Sequence, residues 1–484
     1  MKSLKLILEH TSKHSPATIA AEFTSSERAE TYQSEAQLEK EFIDTLQAQG
    51  YEYANIKDKK ALETNLRTKL EQLNSTTLSD SEWERFFTQI LAKPNSSIVD
   101  KTILMQEDYI QPLTRDDNSI TNFKLIEKEH LQKNSLQIIN QYEASTPTRK
   151  NRYDVTILVN GLPLAHIELK RRGEILQNAF NQINRYGRES FFSGNGLFEF
   201  VQIFVISNGT QSKYYSNITR EYSIKTRRGT KSTKTSNSFE FTSYFSDEKN
   251  TPIEDLIDFA KNFFARHSIL NILCNYCVLD VDRKLLVLRP YQIAACEKIL
   301  QRIAISYHNR FYQNSKDPKN EQKSGGYIWH TTGSGKTLTS FKTAQLISQI
   351  EEIDKVLFVV DRKDLDYQTM REYDRFQKGA ASGSKSTKEL AELLKSSDKD
   401  SKIIVTTIQK LSNFIAKASR TNEVFNKHIV MIFDECHRSQ FGQMRKDINK
   451  AFRKLYFFGF TGTPIFKALR QLKAYLANAY TNTP

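Results

Sequence analysis

The sequence predicts an α/β protein of more than one domain. Two observations carry that prediction. The chain has 484 residues, room for roughly two to four domains with sizeable cores. From about Leu288 onward, short apolar runs ("GYIWH", "VLFVVD", "IIVTTI", "HIVMIFD", "LYFFGFTG") recur, and helical patterns separate most of them. Near-continuous apolar strands alternating with helices indicate a parallel sheet covered on both faces. Before Leu288, helical and strand patterns mix, and one hairpin stands out, so a mixed sheet is expected there.

The elements follow in chain order. "SEAQLEKEFIDTLQAQGY" places Leu38, Phe42, Ile43 and Leu46 at helical spacing, with Ser34 as N-cap and Gly50 as the stop. "NSLQIINQY" reads as a strand. "RYDVTILVNGLPLAHIELKRRG", Arg152 to Gly173, reads as a hairpin: Val155, Ile157 and Val159 alternate, and Asn160-Gly161 supplies the turn. "FVQIFVISNG" is a further strand. "TRRGTKSTKTSNS", Thr226 to Ser238, is polar, basic and low in complexity, which predicts a surface loop. "IEDLIDFAKNFF" reads as a helix leading into a linker. The expected division is 1–255, a helical linker at 256–285, and 286–484.

Composition narrows the function. The hydrophobic fraction of 38% and charged fraction of 26% are those of a globular protein. A net charge of +14 favours a polyanionic partner, a nucleic acid or an anionic membrane surface, over charge serving solubility alone. No apolar run approaches the ~20 residues of a membrane span. Lys5 and Glu9 break the apolar N-terminus, against a signal peptide. With four cysteines and a lone C-x-x-C at Cys274 and Cys277, a metal or redox role is not expected there, and a reducing cytoplasm is.

The hairpin raises a chemical question. If its loop is Asn160 to Leu162, Asp154 falls opposite Glu168, and directly opposed side chains share a face. Lys170, two residues beyond Glu168, shares it too. Two carboxylates suit a hard divalent ion such as Mg²⁺, able to activate water against a phosphodiester. Lys170 would steady the charge developing in the transition state. Residue types alone favour a surface salt bridge at a sheet edge over a metal site.

A second constellation lies downstream. "HTTGSGKT", His330 to Thr337, follows a strand and opens a helix, the context of a phosphate-binding loop. Thr332, Gly333, Ser334 and Gly335 form the loop, Lys336 reaches the β- and γ-phosphates of ATP, and Thr337 ligates Mg²⁺. His330 stands where the first glycine of the motif is usual. In "VMIFDECHRS", Asp434 would hold Mg²⁺, Glu435 would orient the attacking water, and His437 belongs to the same nucleotide site. Gln292 in "LRPYQ" is a candidate reader of adenine.

The order LRPYQ, TTGSGKT, VVDRKDLDYQ, TTIQK, DECH and GFTGTP resembles the first RecA-like lobe of superfamily 2 helicases and translocases, over roughly residues 286–465. These motifs, together with "NGLPLAHIELKR" upstream, most resemble the restriction subunit of type I restriction–modification enzymes. The resemblance casts Asp154, Glu168 and Lys170 as a PD-(D/E)xK nuclease motif, although Tyr153 stands where the motif name has proline. It implies that Gln182 and Tyr186, four apart on the following helix, contact DNA or support the metal ligands. It also implies a first-helix glutamate, Glu35 or Glu39, between which the sequence does not choose. The expected fold is thus a mixed-sheet PD-(D/E)xK-type nuclease domain followed by a RecA-like parallel-sheet P-loop domain. The expected activity is Mg²⁺-dependent DNA cleavage coupled to ATP-dependent translocation. Expected partners are double-stranded DNA and separate methyltransferase and specificity subunits, with S-adenosylmethionine entering only through those subunits, and no membrane. Alternatives are a type III-like or other nuclease–translocase, or an inactive DNA-binding fragment. The family's second lobe does not fit within the chain, and the resemblance fades after Phe466, so a truncation or frameshift is expected.

Overall fold

The computed structural model describes residues 17–25, 33–145, 150–189, 191, 196–217, 242–312, 324–331, 333–360, 363–398, 401–434 and 441–462. They form two compact units, 17–291 and 292–462.

The first unit is built on a six-stranded mixed sheet. Its strands, in spatial order, are β1 (Glu52–Tyr53), β2 (Leu136–Ser145), β3 (Lys150–Val159), β4 (Leu162–Leu169), β5 (Ile203–Ser207) and β6 (Ser212–Ser216). β1–β2 and β4–β5 pair in parallel, the rest antiparallel. Helix α1 (Glu35–Ala48) starts at a Ser34 capping box and buries Leu38, Phe42, Ile43 and Leu46, as the spacing predicts. Helix α2 (Leu176–Glu189) packs on β4 and β5, burying Ala179, Phe180 and Ile183. Every residue of β4 is buried, because helices cover both faces of the sheet.

The hairpin differs in detail from the predicted one. Its loop is two residues, not three: Val159 pairs with Leu162, and Asn160 and Gly161 both take positive φ, 52° and 82°, the conformation a tight hairpin turn demands. Only glycine fits at 161, where a Cβ would lie 2.6 Å from Leu66 Cα. The register slips between Ile157 and Leu158, leaving Leu164 unpaired. This β-bulge restores the pairing that a longer loop would have given. Asp154 therefore does stand across from Glu168, one step beyond the Val155–Ile167 pair.

The segment expected as a linker belongs to the first unit. Helices α3 (Leu256–Phe263) and α4 (Arg266–Asn275) bury Phe259, Phe263, Ile269 and Leu273, α3 lies against α1, and a short ribbon pairs Cys277–Leu279 with Leu285–Val287. Their apolar faces are too wide for an exposed connection.

The second unit is a six-stranded, all-parallel sheet: β7 (Gly325–Trp329), β8 (Lys355–Val360), β9 (Ser382–Gly383), β10 (Ile403–Thr407), β11 (His428–Phe433) and β12 (Lys454–Thr461), in spatial order 7-12-11-8-10-9. Helix α5 (Pro290–Ser306) precedes it, and α6 (Lys336–Ser348) and α7 (Lys363–Phe376) follow β7 and β8. Leu357, Val359, Ile404, Met431 and Phe433 form part of one core cluster. Thr226–Ser238 lies outside the described residues.

Candidate active site

The first constellation forms where β3 and β4 part. Their ladder ends at Val155–Ile167, while β4 continues against β5 to Leu169–Ser207. The Asp154 carboxylate occupies the gap and accepts the Leu169 N–H at 2.9 Å. Lys170 Nζ lies 3.6 Å from Glu168 Oε1 and 3.5 Å from Glu35 Oε1, and donates to Leu169 O at 2.7 Å. Asp154, Glu168 and Lys170 are 6%, 0% and 7% exposed, which excludes the surface salt bridge at a sheet edge. The structure distinguishes the two first-helix glutamates. Glu35 faces Lys170, whereas Glu39 accepts from the side-chain amides of Asn140 (2.5 Å) and Gln141. Gln141 stands opposite Asp154 on β2 with φ of 52°, between the Asn140–Val155 and Tyr142–Tyr153 pairs. A groove of about 540 Å³, lined by Glu35, Glu39, Gln141, Arg152 and Asp154 among others, opens onto this point.

Burial sets the charge states. Desolvation, then repulsion by Glu168, pushes the Asp154 carboxyl up to about 8 against the Leu169 N–H that it accepts. Desolvation also raises Glu168, to about 8, against the pull of Lys170. Two buried carboxylates beside one ammonium cannot both stay ionised cheaply without further positive charge. Glu168 Oε1 is buried and has no hydrogen-bond partner among the described residues. An orphaned hard-oxygen acceptor of this kind is what a divalent cation satisfies. No group of three or more Asp, Glu, His or Cys ligands occurs among the described residues; a Mg²⁺ site needs only one or two carboxylates, with water completing the shell.

Gln182 and Tyr186 share a face of α2, as their spacing predicts. Gln182 Nε2 donates to Tyr186 OH (2.6 Å), which donates to Arg152 O (2.7 Å) on β3. They thereby brace the strand two residues before Asp154. Two buried residues escaped the sequence reading: His166, on the Glu168 face of β4, and Thr156, paired with it across the ladder. The two-residue step from His166 to Glu168 was the signal that could have found them.

The second constellation lies at the carboxyl edge of the parallel sheet. Gly333 and Gly335 have φ of 80° and 78°, so the loop uses a backbone state that other residues resist. Gly335 is the N-cap of α6 and brings no side-chain cap. The first-turn N–H groups of Lys336 and Thr337 thus stand at an uncapped helix N-terminus, where anions bind. Ser334 Oγ donates to Thr331 O at 2.7 Å, tightening the loop. Gln292 is buried against it, its amide donating to the carbonyls of Ser334 (3.2 Å) and Gly335 (3.3 Å). Asp434 follows β11 directly, its N–H on Val359 O. His330 N–H bonds Thr461 O at 3.0 Å. Only β12 separates β7 from β11, so the loop strand and the Asp434 strand are about 10 Å apart laterally. Thr332, Glu435 and His437 lie outside the described residues.

Two family models match separate stretches of the chain. Residues 32–223 match the family described as type I restriction enzyme R protein N terminus, and residues 291–481 match the SWI2/SNF2 ATPase family. The second match runs past Phe466, where the motif-based resemblance stops. An endonuclease subunit of a type I restriction enzyme from Staphylococcus aureus strain MSSA476 is 40% identical over 442 residues, 90% of this chain and 43% of that relative. The EcoprrI endonuclease subunit of Escherichia coli is 45% identical over 279 residues, 57% of this chain and 85% of the relative. A putative type I endonuclease subunit, C-terminal part, of Mycoplasma pneumoniae is 49% identical over 210 residues, 43% of this chain and 99% of the relative. The chain spans less than half the length of the staphylococcal relatives it matches. No helix among the described residues is long and apolar enough to cross a membrane. On these matches the chain belongs to the family of type I restriction enzyme endonuclease subunits.

Proposed function

We propose that the first unit is a PD-(D/E)xK-type nuclease domain that hydrolyses double-stranded DNA with Mg²⁺, and that the second is a RecA-like lobe that binds ATP to drive DNA translocation. One observation carries the nuclease reading: Asp154, Glu168 and Lys170 meet where β3 and β4 part, with Glu168 Oε1 buried and unsatisfied. A bound divalent cation would polarise the scissile phosphate and make water a better nucleophile. Asp154 and Glu168 would hold it. Lys170, steadied by the Leu169 carbonyl and Glu35, brings fixed positive charge to meet charge developing on the phosphate. Gln182 and Tyr186 keep β3 in place behind Asp154.

In the second unit, Gly333, Ser334 and Gly335 shape the phosphate cradle, with Thr332 completing it. Lys336 neutralises the phosphates, Thr337 and Asp434 hold Mg²⁺, Glu435 orients the attacking water, and His437 contributes to nucleotide binding. Gln292 braces the cradle from behind. The net charge of +14 fits a polyanionic track. The family membership supports assembly with methyltransferase and specificity subunits, S-adenosylmethionine entering through those partners, and work in the cytoplasm. The deciding experiment reconstitutes this subunit with such partners and measures Mg²⁺-dependent cleavage of double-stranded DNA. Lys170→Ala should abolish cutting, and cutting at the normal rate by that variant removes the nuclease assignment.

A further inference from the structure

His166 takes no part in the chemistry above, yet it is held from both ends. The ring is fully buried. Its Nδ1 lies 3.0 Å from Thr156 Oγ1 and its Nε2 lies 3.4 Å from Glu168 Oε2. The rings of Tyr153, Tyr186, Phe191 and Phe204 pack against it in edge-to-face geometry at 5.0–6.5 Å, leaving the imidazole little room to turn.

The donor and acceptor roles follow from the chain of contacts. With a divalent cation bound, Glu168 is ionised and only accepts hydrogen bonds. Nε2 must then carry a proton and donate to Oε2. Nδ1 of that tautomer has a lone pair, and the Thr156 hydroxyl donates to it. Glu168 is thereby fixed through one oxygen, while the other, Oε1, has no hydrogen-bond partner among the described residues and lies on the Lys170 side. A carboxylate free to rotate would present either oxygen; this one presents Oε1.

We infer that His166, itself fixed by Thr156, is a positioning residue of the nuclease centre: it locks the Glu168 carboxylate so that Oε1 faces the divalent cation. The inference rests on the nuclease reading. Outer partners of metal-ligating groups are worth about 10–100-fold in metal affinity, and His166 should fall in that range.

The test is Mn²⁺ affinity of the purified 484-residue chain, followed by electron paramagnetic resonance, with thermal unfolding recorded for each variant. His166→Leu should weaken Mn²⁺ binding by about 10–100-fold. His166→Gln, whose amide can return an N–H toward Glu168, should recover most of the loss. Thr156→Val is close in volume and removes only the hydroxyl; it should weaken binding in the same direction, and Thr156→Ser should restore it. Should His166→Leu not fold, the Thr156 pair decides. Equal losses in the Leu and Gln variants, or wild-type affinity in Thr156→Val, overturn the inference. If the unaltered chain binds no Mn²⁺, the nuclease reading fails and takes this inference with it. If it binds Mn²⁺, loses it in Glu168→Ala and keeps it in Thr156→Val, only the inference falls.

Discussion

The two units hold charge by opposite means. In the first, side chains on neighbouring strands are driven into a dry interior, where Asp154, Glu168 and Lys170 are almost wholly buried. In the second, the proposed working groups are backbone amides at a helix start whose N-cap, Gly335, brings no side-chain cap, and the side chains proposed to join them, Lys336 and Thr337, are half-buried. A site built of buried side chains depends on strand register and on every neighbour that fixes a rotamer. A site built of backbone depends on a few residues being able to adopt one local conformation. The first should be sensitive to changes several residues away, and the second chiefly to its own glycines and lysine.

The largest expected effect separates the sites outright. Glu168→Ala removes a proposed ligand, so its loss of Mn²⁺ affinity should exceed the about 10–100-fold that losing an outer partner costs. Nucleotide affinity should not change. Lys336→Ala should do the converse: losing hydrogen bonds to charged phosphate costs about 1.5–3 kcal/mol, roughly 10–150-fold in nucleotide affinity, with Mn²⁺ binding unmoved. Equilibrium titrations of one ligand at a time read both. A Glu168→Ala chain that loses nucleotide affinity would show that the two sites are not independent.

Glycine substitutions sharpen the contrast at the level of stability. At Gly161, φ is 82° and an added Cβ meets Leu66 Cα at 2.6 Å, a backbone atom that cannot step aside. Left-handed strain of about 1–2 kcal/mol and overpacking of about 1–3 kcal/mol should combine in Gly161→Ala. At Gly335, φ is 78° but the obstacle is Gln292 Nε2 at 2.7 Å, the end of a movable side chain. Gly335→Ala should cost less, about 1–2 kcal/mol for the backbone and about 1 kcal/mol for shifting the Gln292 amide off its carbonyls. The chain's two tryptophans, Trp83 and Trp329, fall one in each unit. Trp329→Phe and Trp83→Phe variants therefore give single-unit reporters for urea unfolding. Equal midpoint shifts for the two alanine variants would contradict the account of Gly161.

The same contrast explains what could be read from the sequence. The glycine loop before α6 was legible because its conformation is local: Gly333 and Gly335 announce the positive φ, and a strand stands before it and a helix after. The alternating parallel-strand pattern was legible for the related reason that both sheet faces are covered. The convergence of Asp154 and Glu168 was legible too, through a compensation. The loop is one residue shorter than expected, and the bulge that leaves Leu164 unpaired returns the register to the expected value. Sequence spacing reports the sum of loop and bulge, not the two separately. The choice between Glu35 and Glu39 was not legible, because one helical turn separates them and only the packing of α1 decides which faces Lys170. His166 drew no notice in the sequence, and the aromatic rings around it show why: its burial is that of a core residue, and only its polar contacts set it apart. The span 256–285 read as a linker because its helices are short, while their contacts lie far back in the chain.

The last expected effect is a difference in the sign of pH dependence between the units, in chelator. Burial raises the carboxyls of Asp154 and Glu168 to about 8. The folded unit then binds protons that the unfolded chain has released above pH ~4. Stability from this source is full below that point and is lost as pH rises toward and through 8. His166 works the other way, because burial lowers it to about 4; its contribution grows with pH, but only between about 4 and 6.5. Between pH 6.5 and 8 the carboxyls act without that opposition, and the first unit should become easier to unfold as pH rises. In the second unit, burial lowers Lys355 to about 8. The unfolded chain binds the extra proton from pH 8 to about 10.5, so that contribution to stability rises with pH. Urea midpoints from the Trp83 reporter should therefore fall from pH 6.5 to 8. Lys355 should push those from the Trp329 reporter upward beyond pH 8, an effect that Lys355→Met should remove. Mg²⁺ at saturating concentration should abolish the fall, because a cation between the carboxylates supplies the charge that protons otherwise supply. A Trp83 midpoint that rises from pH 6.5 to 8 in chelator would mean that the two carboxyls are ionised in the folded unit without metal.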